Sequence, residues 1–279
     1  MNGTSKSRSR ILRRHIDVQR GLVYLVRVPE SPDPDKVLVA VHGISRQASY
    51  IVQALSEPAE RLGYTLVAPI FDYRNYPDYQ RLGRRGRGER ADLALISVIK
   101  DLADNFGTTP NFHLFGFSGG AQFAHRFVYA WPGKAKSVTL ASAGWYTPPE
   151  PGVRFPYGTR KTRKLEALTF DGKHLADTPT LVVVGDRDTR RDPGLRQTDR
   201  VNSMQGRDRV ARAKWFHGQL RCVAATRPLP VAHEFALLPG SGHDFGEAIH
   251  QGGLAAKLFD FCERNHRPLR EEISYVESA

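Results

Sequence analysis

Residues 111–125 read NFHLFGFSGGAQFAH, a short apolar run followed by a serine among glycines and then by a helix-like pattern. Gly116, Ser118 and Gly120 match G-x-S-x-G, a motif in which the serine occupies a sharp turn from a strand into a helix. The glycines let the two elements approach closely where a Cβ would collide. The stretch therefore predicts a strained turn in an α/β sheet, with Ser118 either a nucleophile or only a small residue of the turn.

The motif requires a strand before the serine and a helix after it, and the residues on either side of this turn predict both. Residues 112–115 are apolar and predict a strand. The residues after the turn follow the i, i+3, i+4, i+7 spacing of a helix face that packs against a sheet: Ala124, Phe127, Val128 and Trp131.

Apolar runs and helical spacing alternate along the chain. Runs that are apolar at consecutive positions predict buried parallel strands at 37–41, 65–69, 112–115, 138–141, 181–184 and 235–238. Helical spacing covers 51–62, 91–105, 120–131 and 244–265. This order predicts an α/β fold, a mostly parallel central sheet with helices on both faces. Residues 11–18 and 21–30 predict a hairpin at the sheet edge.

His243 is the histidine best placed to activate Ser118. A serine hydroxyl needs a neighbouring base to take its proton. His243 follows the predicted strand 235–238, in the loop that carries the base where a triad runs serine, acid, histidine along the chain. The alternative is a structural histidine at a helix start, beside the capping-type residue Asp244.

An acid between these two residues should hold the imidazole and stabilise its charged form. The segment LVVVGDRDTRRDP offers three candidates after a predicted strand. We favour Asp188, which is placed to extend from the loop towards the histidine. Asp186 can instead brace the turn, and Asp192, before a proline, can cap the next segment of the chain.

Charge that develops on a substrate oxygen requires N–H donors already in place. We predict the backbone N–H of Gly119, directly after the serine, and that of Ile44, in the loop VHGISRQ after strand 37–41. His42 in the same loop is interpreted as a bracing residue, because it precedes the serine in the chain.

Taken together, AVHGISR, GFSGG, GDRDTRRD and GSGHDF resemble the α/β-hydrolase superfamily over about residues 22–264. The resemblance implies Ser118 as nucleophile, His243 as general base and acid, Asp188 as its partner, and Ile44 and Gly119 as oxyanion donors. YLVRVPE, GFSGGAQFAHRFVYAWP and ASAGWYTPP look similar to the polyhydroxyalkanoate depolymerase and feruloyl esterase-like branch. We expect one α/β-hydrolase domain over residues 1–279, with a basic segment at 1–20 and a small cap at 145–180, and no cofactor or metal ion.

Composition narrows the class of protein. The chain has 279 residues, 40% of them hydrophobic, which is enough for a large core. No run approaches the roughly 18 consecutive apolar residues of a membrane span. The N-terminus lacks the apolar segment of a signal peptide, so we expect a cytoplasmic protein. Cys222 and Cys262 lack zinc-site spacing, and we expect reduced, buried thiols.

The formal charge of +12 comes from 41 Lys+Arg against 29 Asp+Glu. The basic residues are spread over several loop-like segments, and neither a helix-turn-helix nor a stacking sheet is evident. We therefore expect a solvated basic surface and no specific nucleic-acid partner.

These features predict a serine hydrolase, most simply a carboxylesterase that acts on a small-molecule ester through an acyl-enzyme. An amidase, thioesterase or perhydrolase can use the same triad. The other hypothesis is a non-catalytic protein that binds a small molecule or a polyanion, against which the complete triad argues. Phe117, Trp145 and Tyr146 either wall the substrate site or are ordinary packing.

Overall fold

The computed structural model describes residues 10–17, 21–165, 170–227 and 231–266, which are built around one sheet. Its eight strands are β1 (Ile11–Ile16), β2 (Leu22–Arg27), β3 (Val37–Val41), β4 (Thr65–Ile70), β5 (Phe112–Phe117), β6 (Ala135–Ala141), β7 (Thr180–Gly185) and β8 (His233–Leu238). Their order across the sheet is β1-β2-β4-β3-β5-β6-β7-β8.

Most of the sheet is parallel. β3 pairs in parallel with β4 and β5, and parallel pairing continues through β6, β7 and β8. β2 runs antiparallel to both β4 and β1. The predicted parallel sheet and its edge hairpin are therefore confirmed, except that Val18 lies outside the described residues.

Helices cover both faces of the sheet. They are α1 (Ala48–Leu62), α2 (Ala91–Phe106), α3 (Gly119–Ala130), α4 (Lys173–Ala176), α5 (Asp199–Gln205), α6 (Arg209–Ala224), α7 (Phe245–His250) and α8 (Leu254–Arg264). Alternate residues of β3 belong to separate hydrophobic cores, Val39 to one and Leu38 to the other. The first core is completed by α2, α3 and α6, and the second by α1 and α8. This explains why β3 is apolar at every position: both of its faces are covered.

The single helix predicted over 244–265 is wrong, because two glycines divide it into α7 and α8. Gly253 has a φ of 66°, in the left-handed region. A Cβ on Gly252 would lie 2.7 Å from the Cβ of Leu238. The break brings the chain close to the end of β8, beside the loop that carries His243.

The two segments predicted outside the main sheet have different outcomes. Residues 11–16 of the basic segment form the exposed edge strand β1, while 1–9 and 18–20 lie outside the described residues. The described part of residues 145–180 holds a short 3₁₀ helix (Arg163–Leu165), then α4, and its role as a cap stays a prediction.

Two expectations from composition can be compared with the structure. Among the described residues, no helix is both long enough and apolar enough to cross a bilayer. Both cysteines are free thiols, and Cys262 is buried as predicted. The prediction that Cys222 is buried is wrong, because its position on α6 faces solvent.

Candidate active site

Ser118 lies at a strained turn between β5 and α3. Its backbone φ is 53° and its ψ is −109°, a conformation that residues with a Cβ rarely adopt. A Cβ on Gly116 would lie 2.2 Å from the carbonyl carbon of Gly120, and one on Gly120 would lie 2.0 Å from the carbonyl oxygen of Val41. Only glycine fits at both places, so strand and helix pack closely enough to hold Ser118 above the sheet.

Three predicted residues from three distant parts of the sequence meet at this turn. The Oγ of Ser118 lies 3.0 Å from Nε2 of His243, and Nδ1 of His243 lies 2.8 Å from Oδ2 of Asp188. Asp188 is fully buried, whereas Ser118 is 8% exposed. Because the ionised carboxylate can only accept, Nδ1 carries the proton, and Nε2 is free to accept from the serine hydroxyl.

The loops after β7 and β8 are packed together, which fixes the acid and the histidine relative to each other. The N–H of Asp188 donates to the carbonyl of Gly185 over 3.1 Å, and the N–H of Arg187 donates to the carbonyl of Ser241 over 3.0 Å. His243 comes directly before Asp244, whose side chain accepts from the N–H of Glu247 and caps α7.

The other two candidate acids lie elsewhere. Asp186 is exposed and forms a backbone hydrogen bond with Leu238. Asp192 accepts from Nη1 of Arg209 over 2.7 Å, and this hydrogen bond is the largest cause that lowers the pKa of Asp192 to about 2. Asp188 is thus the aspartate that the fold brings to the histidine.

Ile44 and Gly119 lie beside the serine. A Cβ added to Gly43 would lie 3.5 Å from the Cβ of Ser118. The loop after β3 therefore passes directly over the nucleophile candidate. The corresponding Cβ position on Gly119 is 3.1 Å from Cγ2 of Ile44. Gly119 also begins α3, where the first N–H groups have no partner within the helix.

His42 fixes the shape of this loop. It is fully buried, its Nδ1 lies 2.9 Å from the carbonyl oxygen of Gly43, and its Nε2 accepts from the N–H of Phe71 over 3.0 Å. Burial lowers the pKa of His42 to about 4, so the ring stays neutral at physiological pH. It braces the loop, as its place in the sequence indicated.

More than nine-tenths of the chain is similar in structure to known hydrolases. It matches poly(aspartic acid) hydrolase-1 from Sphingomonas sp. KT-1 with a TM-score of 0.74 and 21% identity, over 91% of this chain and 97% of that one. It matches a poly(3-hydroxybutyrate) depolymerase from Bordetella parapertussis with a TM-score of 0.73 and 26% identity, over 95% and 94% of the two chains. An esterase from Pyrococcus furiosus matches with a TM-score of 0.58 and 18% identity, over 93% and 94%.

The chain has the α/β-hydrolase fold. The predicted fold class and the resemblance to this superfamily are thereby confirmed, and a depolymerase of the suggested branch is among the similar structures. No protein-family model matches the chain, and no curated protein matches it in sequence.

In the described part of the chain, two cavities reach Ser118. The larger, about 350 Å³, is lined by His243, Phe117, Asp192, Asp244 and Arg209 among others, and we call it the His243 cavity. The smaller, about 230 Å³, is lined by Arg81, Arg196, Trp145, Gln80 and Gln122 among others, and we call it the arginine recess. Ile44, Ser118 and Gly194 line both, so the two cavities meet at the serine.

The three predicted substrate residues differ in position. Phe117 stacks on the ring of His243, with 5.5 Å between the centroids, and lines the His243 cavity. Trp145 is 4% exposed and lines the arginine recess. Neither cavity is lined by Tyr146, which is fully buried and stacks on Phe216 with 4.1 Å between centroids.

Arg209 is a residue of the site that sequence reasoning missed. It is 2% exposed, and its Nη1 lies 3.3 Å from Oδ1 of Asp188 as well as 2.7 Å from Oδ2 of Asp192. No motif marks it, since it is one of many arginines and begins α6 after the capping residue Asp208. Only the path of the chain after β7 brings it to the acid.

The site consists of protein groups that can move a proton and hold an anion. In the described part of the chain, no three His, Cys, Asp or Glu side chains converge where they could hold a metal ion. The serine, histidine and aspartate form a continuous hydrogen-bonded chain. Such a chain can take a proton from a hydroxyl, stabilise the resulting imidazolium and later return the proton.

Proposed function

We propose that this protein is a serine hydrolase that cleaves a small carboxylic ester through an acyl-enzyme. The observation that carries the proposal is the hydrogen-bonded chain from Ser118 through His243 to Asp188, at a strained turn open to two cavities. A turn with backbone strain and a buried acid behind the histidine is what nucleophilic catalysis requires, and a binding site requires neither.

The chemistry follows from the positions of these groups. The Oγ of Ser118 attacks the ester carbonyl while its proton passes to Nε2 of His243, and Asp188 stabilises the imidazolium. The N–H groups of Ile44 and Gly119 hold the negative oxygen of the tetrahedral intermediate. His243 then protonates the leaving alcohol. Water, activated by the same histidine, releases the acid and restores the serine.

The similar structures support a hydrolase and agree with ester chemistry. They include the poly(3-hydroxybutyrate) depolymerase and the Pyrococcus furiosus esterase. An amidase, thioesterase or perhydrolase would use the same three residues. Turnover assays with the corresponding substrates distinguish these reactions from ester hydrolysis.

A fluorophosphonate probe tests the proposal. Wild-type protein should be labelled at Ser118, and Ser118→Ala should not. Ser45→Ala is a matched control, because this second serine also lines the His243 cavity and should be labelled like the wild type. Hydrolysis of a series of aryl and alkyl esters should be lost in Ser118→Ala but not in Ser45→Ala.

Either of two results would contradict the proposal. Folded wild-type protein that is not labelled would favour a non-catalytic binding protein. Equal labelling of Ser118→Ala would place the nucleophile elsewhere.

A further inference from the structure

The two cavities that meet at Ser118 differ in charge. Among the residues that line the His243 cavity, Asp192 and Asp244 accompany Arg209 and His243. The arginine recess is lined by Arg81 and Arg196 and by no Asp or Glu of the described chain. The recess therefore presents positive charge directly beside the nucleophile, while two carboxylates and one arginine line the other cavity.

Two further arginines stand behind the recess. Neither forms a salt bridge with a described residue, although Asp78 lies near Arg126 and Asp208 lies near Arg212. Arg126 is fully buried and donates to Thr147, to Gln122 and to the carbonyl of Gln80. Arg212 is fully buried and donates to carbonyl oxygens, that of Gly144 in the recess wall among them, and to the side-chain oxygen of Asn202. Neutral acceptors satisfy part of the hydrogen bonding of these two arginines but do not neutralise their positive charge.

The described hydrogen bonds show little compensation for this charge. Asp78 bonds to both Arg81 and Arg84, so one carboxylate serves two guanidinium groups. Buried Nε of Arg196 and Nη2 of Arg126 have no hydrogen-bond partner within the described residues. Burial lowers the pKa of Arg81, Asp78 opposes this change, and nearby Arg84 and Arg196 lower the pKa further. Burial also lowers that of Arg126, with Arg81 as the next cause.

Trp145, in the aromatic wall of the recess, lies against two guanidinium groups. The guanidinium carbon of Arg126 lies 4.6 Å from the ring centroid of Trp145, and that of Arg196 lies 5.1 Å from it. Arg196 also donates to the hydroxyl of Tyr157. These contacts hold Arg196 in place, so binding an anion costs little additional side-chain entropy.

The catalytic geometry decides which part of a substrate enters the recess. The general acid must reach the leaving oxygen, and His243 lines only the other of the two cavities. The alcohol part of an ester therefore lies in the His243 cavity. The acyl part extends past Ser118 in the opposite direction, into the recess.

On this basis, which rests on the proposed function, we propose that the acyl group of the substrate ends in a carboxylate bound by Arg81 and Arg196. The substrate class is a half-ester of a short dicarboxylic acid. Water cleaves the ester bond and releases the alcohol and the free dicarboxylic acid. A second carboxylate supplies the negative charge that the recess lining lacks and accepts hydrogen bonds from the guanidinium groups of Arg81 and Arg196.

Paired substrates test this inference. We would compare 4-nitrobenzyl hemisuccinate and hemiglutarate with the corresponding esters of the monoamides, in which a neutral carbamoyl group replaces the carboxylate. At least one half-ester should have a kcat/KM at least about tenfold above its neutral counterpart, as for a hydrogen-bonded ion pair that is partly buried. Moderate salt should reduce this preference.

Substitutions of the two recess arginines test whether these residues cause the preference for the half-ester. Arg196→Gln and Arg81→Gln should each lower the preference by about tenfold, and the ratio within each variant cancels any general loss of activity. Arg61→Gln is the matched control: it removes one positive charge from a side chain that is 70% exposed on α1, and the preference should not change.

The outcomes separate this inference from the function on which it rests. Protein that the fluorophosphonate labels but that hydrolyses the neutral esters equally fast, or hydrolyses neither kind, overturns the carboxylate inference alone. A preference that survives in both arginine variants also overturns it. Protein that is neither labelled nor active overturns both.

Discussion

Arg209 donates to the one carboxylate oxygen of Asp188 that the histidine does not use. His243 bonds Oδ2 and Arg209 approaches Oδ1, so the carboxylate is held from two sides in a fully buried position. A carboxylate held in this way cannot rotate away from the imidazole, and its charge is compensated where water is excluded.

We expect Arg209→Met to reduce kcat by about tenfold or more, because Asp188 then loses its second partner. Arg209→Lys keeps the charge and should recover much of that loss. Steady-state kinetics on one ester, with circular dichroism to confirm folding, measures both. Folded Arg209→Met with kcat within about twofold of the wild type would show that His243 alone positions the carboxylate.

The three aspartates after β7 should differ sharply in kinetic importance. Asp188→Asn should lower kcat on the order of 10⁴-fold, since an amide at this place favours the wrong histidine tautomer. Asp186→Asn is the matched control, because Asp186 is exposed on the same loop, and it should change kcat less than about twofold. A larger loss for Asp186→Asn than for Asp188→Asn would contradict the assignment of the acid.

Gly120→Ala should destabilise the protein by roughly 2–4 kcal/mol, because its Cβ would overlap the backbone of Val41. Gly218→Ala is the control, since a Cβ at this position in α6 has no atom within 4 Å. It should be neutral or stabilising by up to about 1 kcal/mol. Urea unfolding gives both free energies, and equal values for the two variants would argue against the close packing of β3 and α3.

Acid should destabilise the wild type partly through His42. Its folded pKa, about 4, lies below the ordinary value of 6.5 because of burial, so the unfolded state binds the proton more readily. The contribution of the neutral ring is complete above pH 6.5 and is lost as the pH falls through 4. It amounts to roughly 3 kcal/mol.

His42→Gln removes this titration while its side-chain carbonyl can still accept from Phe71. The variant should therefore lose less stability than the wild type between pH 6.5 and 4, as measured by urea unfolding at a series of pH values. Buried His113 and His125 are common to both proteins and cancel in the comparison. Parallel curves for the two proteins would exclude His42 as a source of the acid sensitivity.

The sequence predicted those parts of the site that depend on local pattern. Ser118, Asp188 and His243 each follow a strand with a glycine nearby, and the carboxyl ends of parallel strands meet at one edge of the sheet. This is why three motifs far apart in the chain could be assigned to one place from the sequence.

The other parts of the site depend on contacts between residues that are distant in the sequence, which the local sequence pattern does not encode. Arg209 and Arg196 look like other surface arginines, and only the course of the chain between β7 and α6 buries one and brings the other to Trp145. From its loop position, Tyr146 could equally be part of the substrate site or ordinary packing. Its burial is decided by Phe216, which is distant in the sequence.

The loop after β7 supplies Asp188 to the histidine, Gly194 to both cavities and Arg196 to the recess. The proposed reaction and the proposed acyl preference thus depend on one stretch of backbone. Loop grafting aimed at a new substrate would disturb the acid at the same time. New selectivity is therefore more accessible, in evolution or in the laboratory, through Arg81 and Gln80, which lie in a separate short 3₁₀ helix (Tyr79–Arg81).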